Sequence, residues 1–126
     1  AAEALRAGGL VASEEGPELL LFVPFVSPVR LQAISLEAPD AARAPARVRL
    51  FANQRDLDMD DAAGAAAATQ ELTPEWTPAQ GGALSARLEL NILRFQNLAF
   101  LAVYLSREEE EGAAVAIQAF HIQGRI

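Results

Sequence analysis

The sequence predicts an all-β domain, a β-sandwich or a jelly roll. Short apolar segments either alternate with polar residues or run on without interruption, the two patterns of half-buried and fully buried strands. Clusters rich in Pro, Gly, Asn and Asp separate them at short intervals. No stretch alternates strands with long amphipathic helices, which argues against a parallel α/β sheet.

Residues 1–13 (AAEALRAGGLVAS) read as a flexible leader with a weak turn of helix over 2–7, ended by Gly8-Gly9. The β-sandwich domain is expected over 14–126. Residues 18–26 (ELLLFVPFV) make the first strand, and Pro24 sends it to a sheet edge or bends it, because Pro cannot donate to a ladder. Ser27-Pro28 is expected to turn the chain into a second strand over 29–37. There Val29 and Leu31 share one face, whereas Ile34 and Leu36 fall on the other. That strand is either covered on both faces or shifted by a bulge. A loop over 38–46 lies between Pro39 and Pro45. The third strand, 47–53, puts Val48, Leu50 and Ala52 on one face.

Residues 54–68 change to acids followed by small residues, and 69–73 form a short strand. The 74–83 loop carries the single Trp. The stretch 87–105 is the centre of the core. Leu88, Leu90 and Ile92 alternate with polar residues, Asn97 supplies a turn, and 98–105 is apolar throughout. The second half suits a strand covered on both faces. Residues 107–112 form an acidic turn, and 115–124 the last strand, with a switch of face between Ile117 and Phe120. The predicted core and structural positions are Leu20, Phe25, Leu31, Leu50, Phe95, Asn97, Phe100 and Phe120.

A chain of 126 residues is one domain and can fold without covalent staples. It has no cysteine, which removes disulfides, thiolate metal sites and thiol chemistry and fits a reducing compartment. The expected location is the cytoplasm, with the nucleus second. Residues 1–12 lack a basic start and a continuous apolar centre, so no signal peptide is expected. A net charge of −7 disfavours binding to nucleic acid, which needs a basic footprint. No segment is long and apolar enough to span a membrane as a helix. All ten basic residues are Arg, a bias best explained by codon usage.

Asp56-x-Asp58-x-Asp60 matches the first ligand positions of an EF-hand loop. The match then fails, with Asp61 where Gly is needed and Ala67 where Glu is needed. The segment reads as a solvated acidic loop at the sandwich edge. Asp56, Asp58, Asp60 and Asp61 are candidate contacts for a basic partner, since crowded carboxylates resist burial. His121 is the only histidine; a zinc site or a Ser-His-Asp triad would need partners that the sequence does not place around it. It reads as a structural residue of the last strand. Trp76 is either a stacking or partner anchor or a ring folded over the sandwich edge. No catalytic residue, metal ligand or cofactor is expected.

Several blocks, in order, resemble the PITH domain, the proteasome-interacting thioredoxin domain. They are Glu18-Leu19-Leu20-Leu21 with Phe25 after it, Val29-Arg30-Leu31-Gln32-Ala33-Ile34, Val48-Arg49-Leu50-Phe51-Ala52-Asn53 with Leu57-Asp58-Met59-Asp60-Asp61-Ala62, Leu93-Arg94-Phe95-Gln96-Asn97-Leu98, and the close from Ile117 to Gly124. The resemblance implies a galactose-binding-domain-like jelly roll and a non-catalytic module that associates with the 26S proteasome regulatory particle. Arg30, Arg49 and Arg94 stand where the family has Lys. In thioredoxin-like relatives, redox activity belongs to a separate domain with a Cys-x-x-Cys motif. Two alternatives stay open: a structural adaptor subunit of another large assembly, and a carbohydrate- or small-ligand-binding sandwich.

Overall fold

The computed structural model describes residues 2–7, 11–12, 18–40, 43–54, 56–59, 61–65, 67–107, 115–117 and 119–125. Its strands are β1 (Ala2–Ala7), β2 (Val11–Ala12), β3 (Glu18–Ala38), β4 (Arg47–Ala52), β5 (Gln70–Leu72), β6 (Thr77–Pro78), β7 (Leu84–Glu89), β8 (Leu98–Ser106), β9 (Ala116–Ile117) and β10 (Ala119–Arg125). All their pairings are antiparallel. One layer has the order β1-β10-β3-β7-β6, the other β3-β8-β4-β5. Strand β3 belongs to both. Leu31, Ile34, Leu36, Leu88 and Ile122 of the first layer meet Val48, Leu50, Leu101, Val103 and Leu105 of the second in one buried cluster. The fold is the predicted β-sandwich.

Where a turn is expected at Ser27-Pro28, the chain continues as a single strand of 21 residues. Pro24 lies opposite Phe100 and Val29 opposite Leu98, so residues 25–28 of β3 are matched by Ala99 alone. The surplus lets β3 leave one layer and enter the other, and Pro24 falls on the edge where no N–H is required. A second irregularity resolves the change of face in β3. Gln123 pairs with Ala33 but Gly124 with Leu31, leaving Gln32 as the extra residue of a bulge. Leu31 therefore points inward, and so do Ile34 and Leu36.

The expected turn of helix over residues 2–7 is not formed: these residues are β1, paired with β10. A free ladder on a sheet edge outweighs the modest preference of an Ala-rich stretch for helix. The strand over 87–92 is shorter than its alternation suggests, ending at Glu89. Strands β7 and β8 lie in different layers, so the segment between them crosses the sandwich.

Strand β8 is covered on both faces, as its unbroken apolar run predicts. Leu101, Val103 and Leu105 face the sandwich, whereas Phe100, Ala102 and Tyr104 face a second cluster with Phe51 and Ala62. The lid over that outer face is the 57–68 segment, through Leu57, Ala62, Ala63 and Ala68. Phe95 is fully buried in the main core; Phe100 is buried in the outer one. Leu31 and Leu50 are core residues. Phe25 is half-buried against the main cluster and Leu20 against the outer one. Phe120 is placed in β10 opposite Leu36, but its side chain lies outside the described residues.

Candidate interaction surface

Three of the resembling blocks, 29–34, 48–53 and 93–98, meet at one corner of the sandwich, where β4 ends and β8 begins. Asn53 closes β4 with φ 58° and Asn97 precedes β8 with φ 52°, both left-handed. Asn tolerates this conformation better than most residues because its side chain bonds locally. Asn53 Oδ1 accepts from the backbone N–H of Ala99 at 2.8 Å and of Phe100 at 3.2 Å. Its backbone N–H donates to Phe100 O at 2.8 Å. The Asn53 amide also donates to Asn97 O at 3.4 Å. One side chain thus stitches the two strand ends together. Asn97 was legible as a turn residue; the role of Asn53 depends on a neighbour far along the chain.

The same corner is braced from β5. Thr69 Oγ1 accepts from Ala52 N–H at 2.9 Å, and Arg94 Nη1 donates to Thr69 O at 2.7 Å. Gln70 Oε1 accepts from Asn91 N–H at 2.8 Å. The loop between β7 and β8 is therefore tied down on one side and anchored by Phe95 on the other. Phe95 O accepts from Leu31 N–H at 3.0 Å, which joins the loop to β3. Leu93 stays outside, 77 % exposed at the tip.

The acidic segment follows this corner. Asp56 and Asp58 are exposed and Asp61 is half-buried; Asp60 lies outside the described residues. The segment is more ordered than a solvated spacer. Asp61 N–H donates to Asp58 Oδ1 at 2.8 Å, and Asp58 N–H donates to Asp61 Oδ2 at 3.3 Å. This reciprocal cap starts the helical turn Asp61–Ala65. Arg49, buried on β4, holds the far side of the turn by donating from Nη1 to Ala62 O at 2.7 Å. The Arg49 guanidinium also sits 5.4 Å from the centre of the Phe51 ring and 3.6 Å from Glu71. The capping function of Asp58 and Asp61 was not read from the sequence, although the D-x-x-D spacing is its signal. A shallow hollow lined by Asn53, Gln54, Asp56 and Leu57 lies between the corner and the acids.

Trp76 stands apart from this corner. It is half-buried against the main core, and its Nε1–H donates to Pro45 O at 2.7 Å. The ring thereby pins the 39–46 loop. In that loop Arg43 makes a bidentate pair with Asp40 at 3.1 and 2.8 Å. The structure does not bring Trp76 and the acids together through any hydrogen bond or packing cluster among the described residues.

Buried Tyr104 of the outer cluster pairs with half-buried Glu18. Tyr104 Oη donates to Glu18 Oε2 at 2.9 Å. Burial pushes the phenol up to about 12, helped by the hydrogen bond to the Glu18 carboxylate and by its charge. This holds Tyr104 as a donor to Glu18 well into the alkaline range. His121 lies in β10, opposite Ser35 of β3 and Arg6 of β1. Among the described residues no group of metal-ligating side chains gathers. What the corner presents to solvent is exposed carboxylates, amides and an exposed Leu on a firmly braced scaffold.

The family model described as PITH domain matches residues 2–126. PITH domain-containing protein 1 of Xenopus laevis is 31 % identical over 99 residues, covering 77 % of this chain and 44 % of that protein. PITH domain-containing protein 1 of Danio rerio is 31 % identical over 99 residues, covering 77 % of this chain and 43 % of that protein. The chain spans less than half the length of these curated relatives.

Proposed function

The chain belongs to the PITH domain family, and on that premise we propose that it is a non-catalytic protein-interaction module that docks on the regulatory particle of the proteasome. The observation that carries the reading is the family match over residues 2–126. The braced corner, where three of the resembling blocks meet, supports it. Rigid scaffolds commonly present contact residues on such connecting segments. Asp56, Asp58, Asp60 and Asp61 are the proposed contacts for a basic surface, with Trp76 as a secondary one. The working location is the cytoplasm and nucleus.

The test is binding of the chain to purified 26S proteasome at low and high ionic strength. The chain is compared with a variant carrying Asp56→Asn, Asp58→Asn, Asp60→Asn and Asp61→Asn. Asn keeps the capping acceptors, so the turn at 61–65 survives. Steering by exposed charges acts mainly on association and is screened by salt. The expected result is slower association and a weaker salt dependence in the variant. Failure of the unaltered chain to bind the particle sinks the reading. Binding with unchanged rate and salt dependence in the variant moves the contact away from the acids.

A further inference from the structure

Residues 18–24 of β3 run along the border of the second layer, and among the described residues they are hydrogen-bonded on one side only, to β8. Natural sheet edges are usually guarded by charges, by bulges or by being very short. This edge reads Leu19-Leu20-Leu21-Phe22-Val23 and carries no charge between Glu18 and Pro24. Leu19, Leu21 and Val23 lean on the main core, and Leu20 on the outer cluster. Each of these four is only half-buried. Phe22 is 45 % exposed, stacked on Phe100 with ring centres 5.7 Å apart. The edge therefore combines a border of backbone groups with apolar side chains on both faces, the two elements that strand addition uses.

The charge around the edge selects the occupant. Neither 18–29 nor 98–106 contains a basic residue, and Arg47, opposite Ser106 on the far side of β8, is paired with Glu71. Leu57, between exposed Asp56 and Asp58, packs on the outer cluster that holds Phe100. The whole chain carries −7, so a second copy meets like charge. We infer that the edge of β3 at residues 18–24 takes an added strand from a partner protein: an extended apolar segment flanked by Arg or Lys. The inference rests on reading the chain as an interaction module and names the chemistry of what it binds. Pro24, which has no N–H to offer, marks the end of the pairing register.

The experiment is selection of peptides from a randomised display library on the folded chain, with Phe22→Lys as counter-selection. Phe22 is 45 % exposed, and the aliphatic stem of a Lys can still cover Phe100, so Phe22→Lys should keep the fold while placing a gatekeeper charge on the edge. The expected winners are Pro-free, alternate apolar residues and carry basic flanks. Made synthetically, they should bind about tenfold or more weaker to Phe22→Lys and lose affinity with salt. On the unaltered chain they should slow amide hydrogen exchange at residues 19–23, a readout that does not depend on any variant. The inference is overturned if no peptide is enriched. It is also overturned if the winners bind Phe22→Lys equally and leave exchange at 19–23 unchanged. A dimer of the unaltered chain that Phe22→Lys dissolves would overturn it in favour of self-pairing. None of these outcomes touches the proteasome assay, which reads the intact chain on the intact particle.

Discussion

At the scale of single residues, Asn53 and Asn97 do the work that a sheet ladder cannot. Both sit in left-handed conformation, where a Cβ costs about 1–2 kcal/mol outside Gly, Asn and Asp. Asn97→Gly should therefore leave the urea midpoint nearly unchanged. Asn53→Ala loses both the conformation and an acceptor for two N–H groups, and should cost about 1–3 kcal/mol; an unchanged midpoint would deny the corner its structural role. Phe95 is fully buried, and Phe95→Ala should cost about 3–5 kcal/mol. Tyr104 makes stability depend on alkaline pH. Its ordinary value is 10.0 and its folded value about 12. Below the first, folded and unfolded chains both keep the proton. Between the two, only the folded chain keeps it, so the unfolded chain binds fewer protons and stability falls as pH rises. The contribution is lost by the time the pH passes the folded value. With one Tyr, no Cys and only Arg as basic residues, no other side chain with an ordinary value in that window interferes. Tyr104→Phe should flatten the slope of stability against pH there, and an unflattened slope would show that Tyr104 is not the group whose proton the fold holds.

At the scale of elements, β3 decides the architecture. It is a strand of two layers because its sequence tolerates two irregularities, one at 25–28 and one at Gln32. Gly124 is the partner of the second. A Cβ on Gly124 would lie 2.3 Å from Arg30 O, a backbone atom that cannot rotate away. Gly124→Ala should destabilise by about 1–3 kcal/mol, read as a lower denaturant midpoint; a neutral result would mean that the β3–β10 register is soft. The 57–68 segment is the other deciding element. Its Asp58–Asp61 cap and its Ala-rich turn convert an outer sheet face into a second core. Asp58→Ala should cost about 1 kcal/mol and raise amide exchange over 61–63 before exchange in β8 changes. Equal protection in both would show that the cap does not hold the lid.

At the scale of the whole molecule, a sandwich with an acidic surface and a fold shared with the PITH family presents two features on its second layer. One is the braced corner with its carboxylates, and the other is the apolar border of β3. They share the outer cluster around Phe100, through which Leu57 and Phe22 are connected. The proposed role as a binding module predicts no turnover of disulfide or ester substrates. Activity that survives repurification of the chain would overturn it.

Much of this was determined by local sequence alone. Period-two alternation and short apolar runs announce strands because side-chain direction alternates with every residue. On that basis the third strand, the buried β8, the turn at Asn97 and the burial of Phe95 were all readable. The change of face between Leu31 and Ile34 announced a bulge without locating it. Only the tertiary structure decided which strands are neighbours. Pairing depends on residues far apart in the chain, and an isolated segment holds no record of them. Hence the Ala-rich 2–7 segment became a strand on the edge of β10, and the Ser27-Pro28 step became a bend instead of a turn. Asn53 became a brace only because Ala99 and Phe100 come within reach of its side chain. Asp56 and Asp58 were legible as exposed charge, since carboxylates resist burial wherever they fall. The acidic segment's second role as a lid was not, because a lid exists only when the fold supplies a surface beneath it.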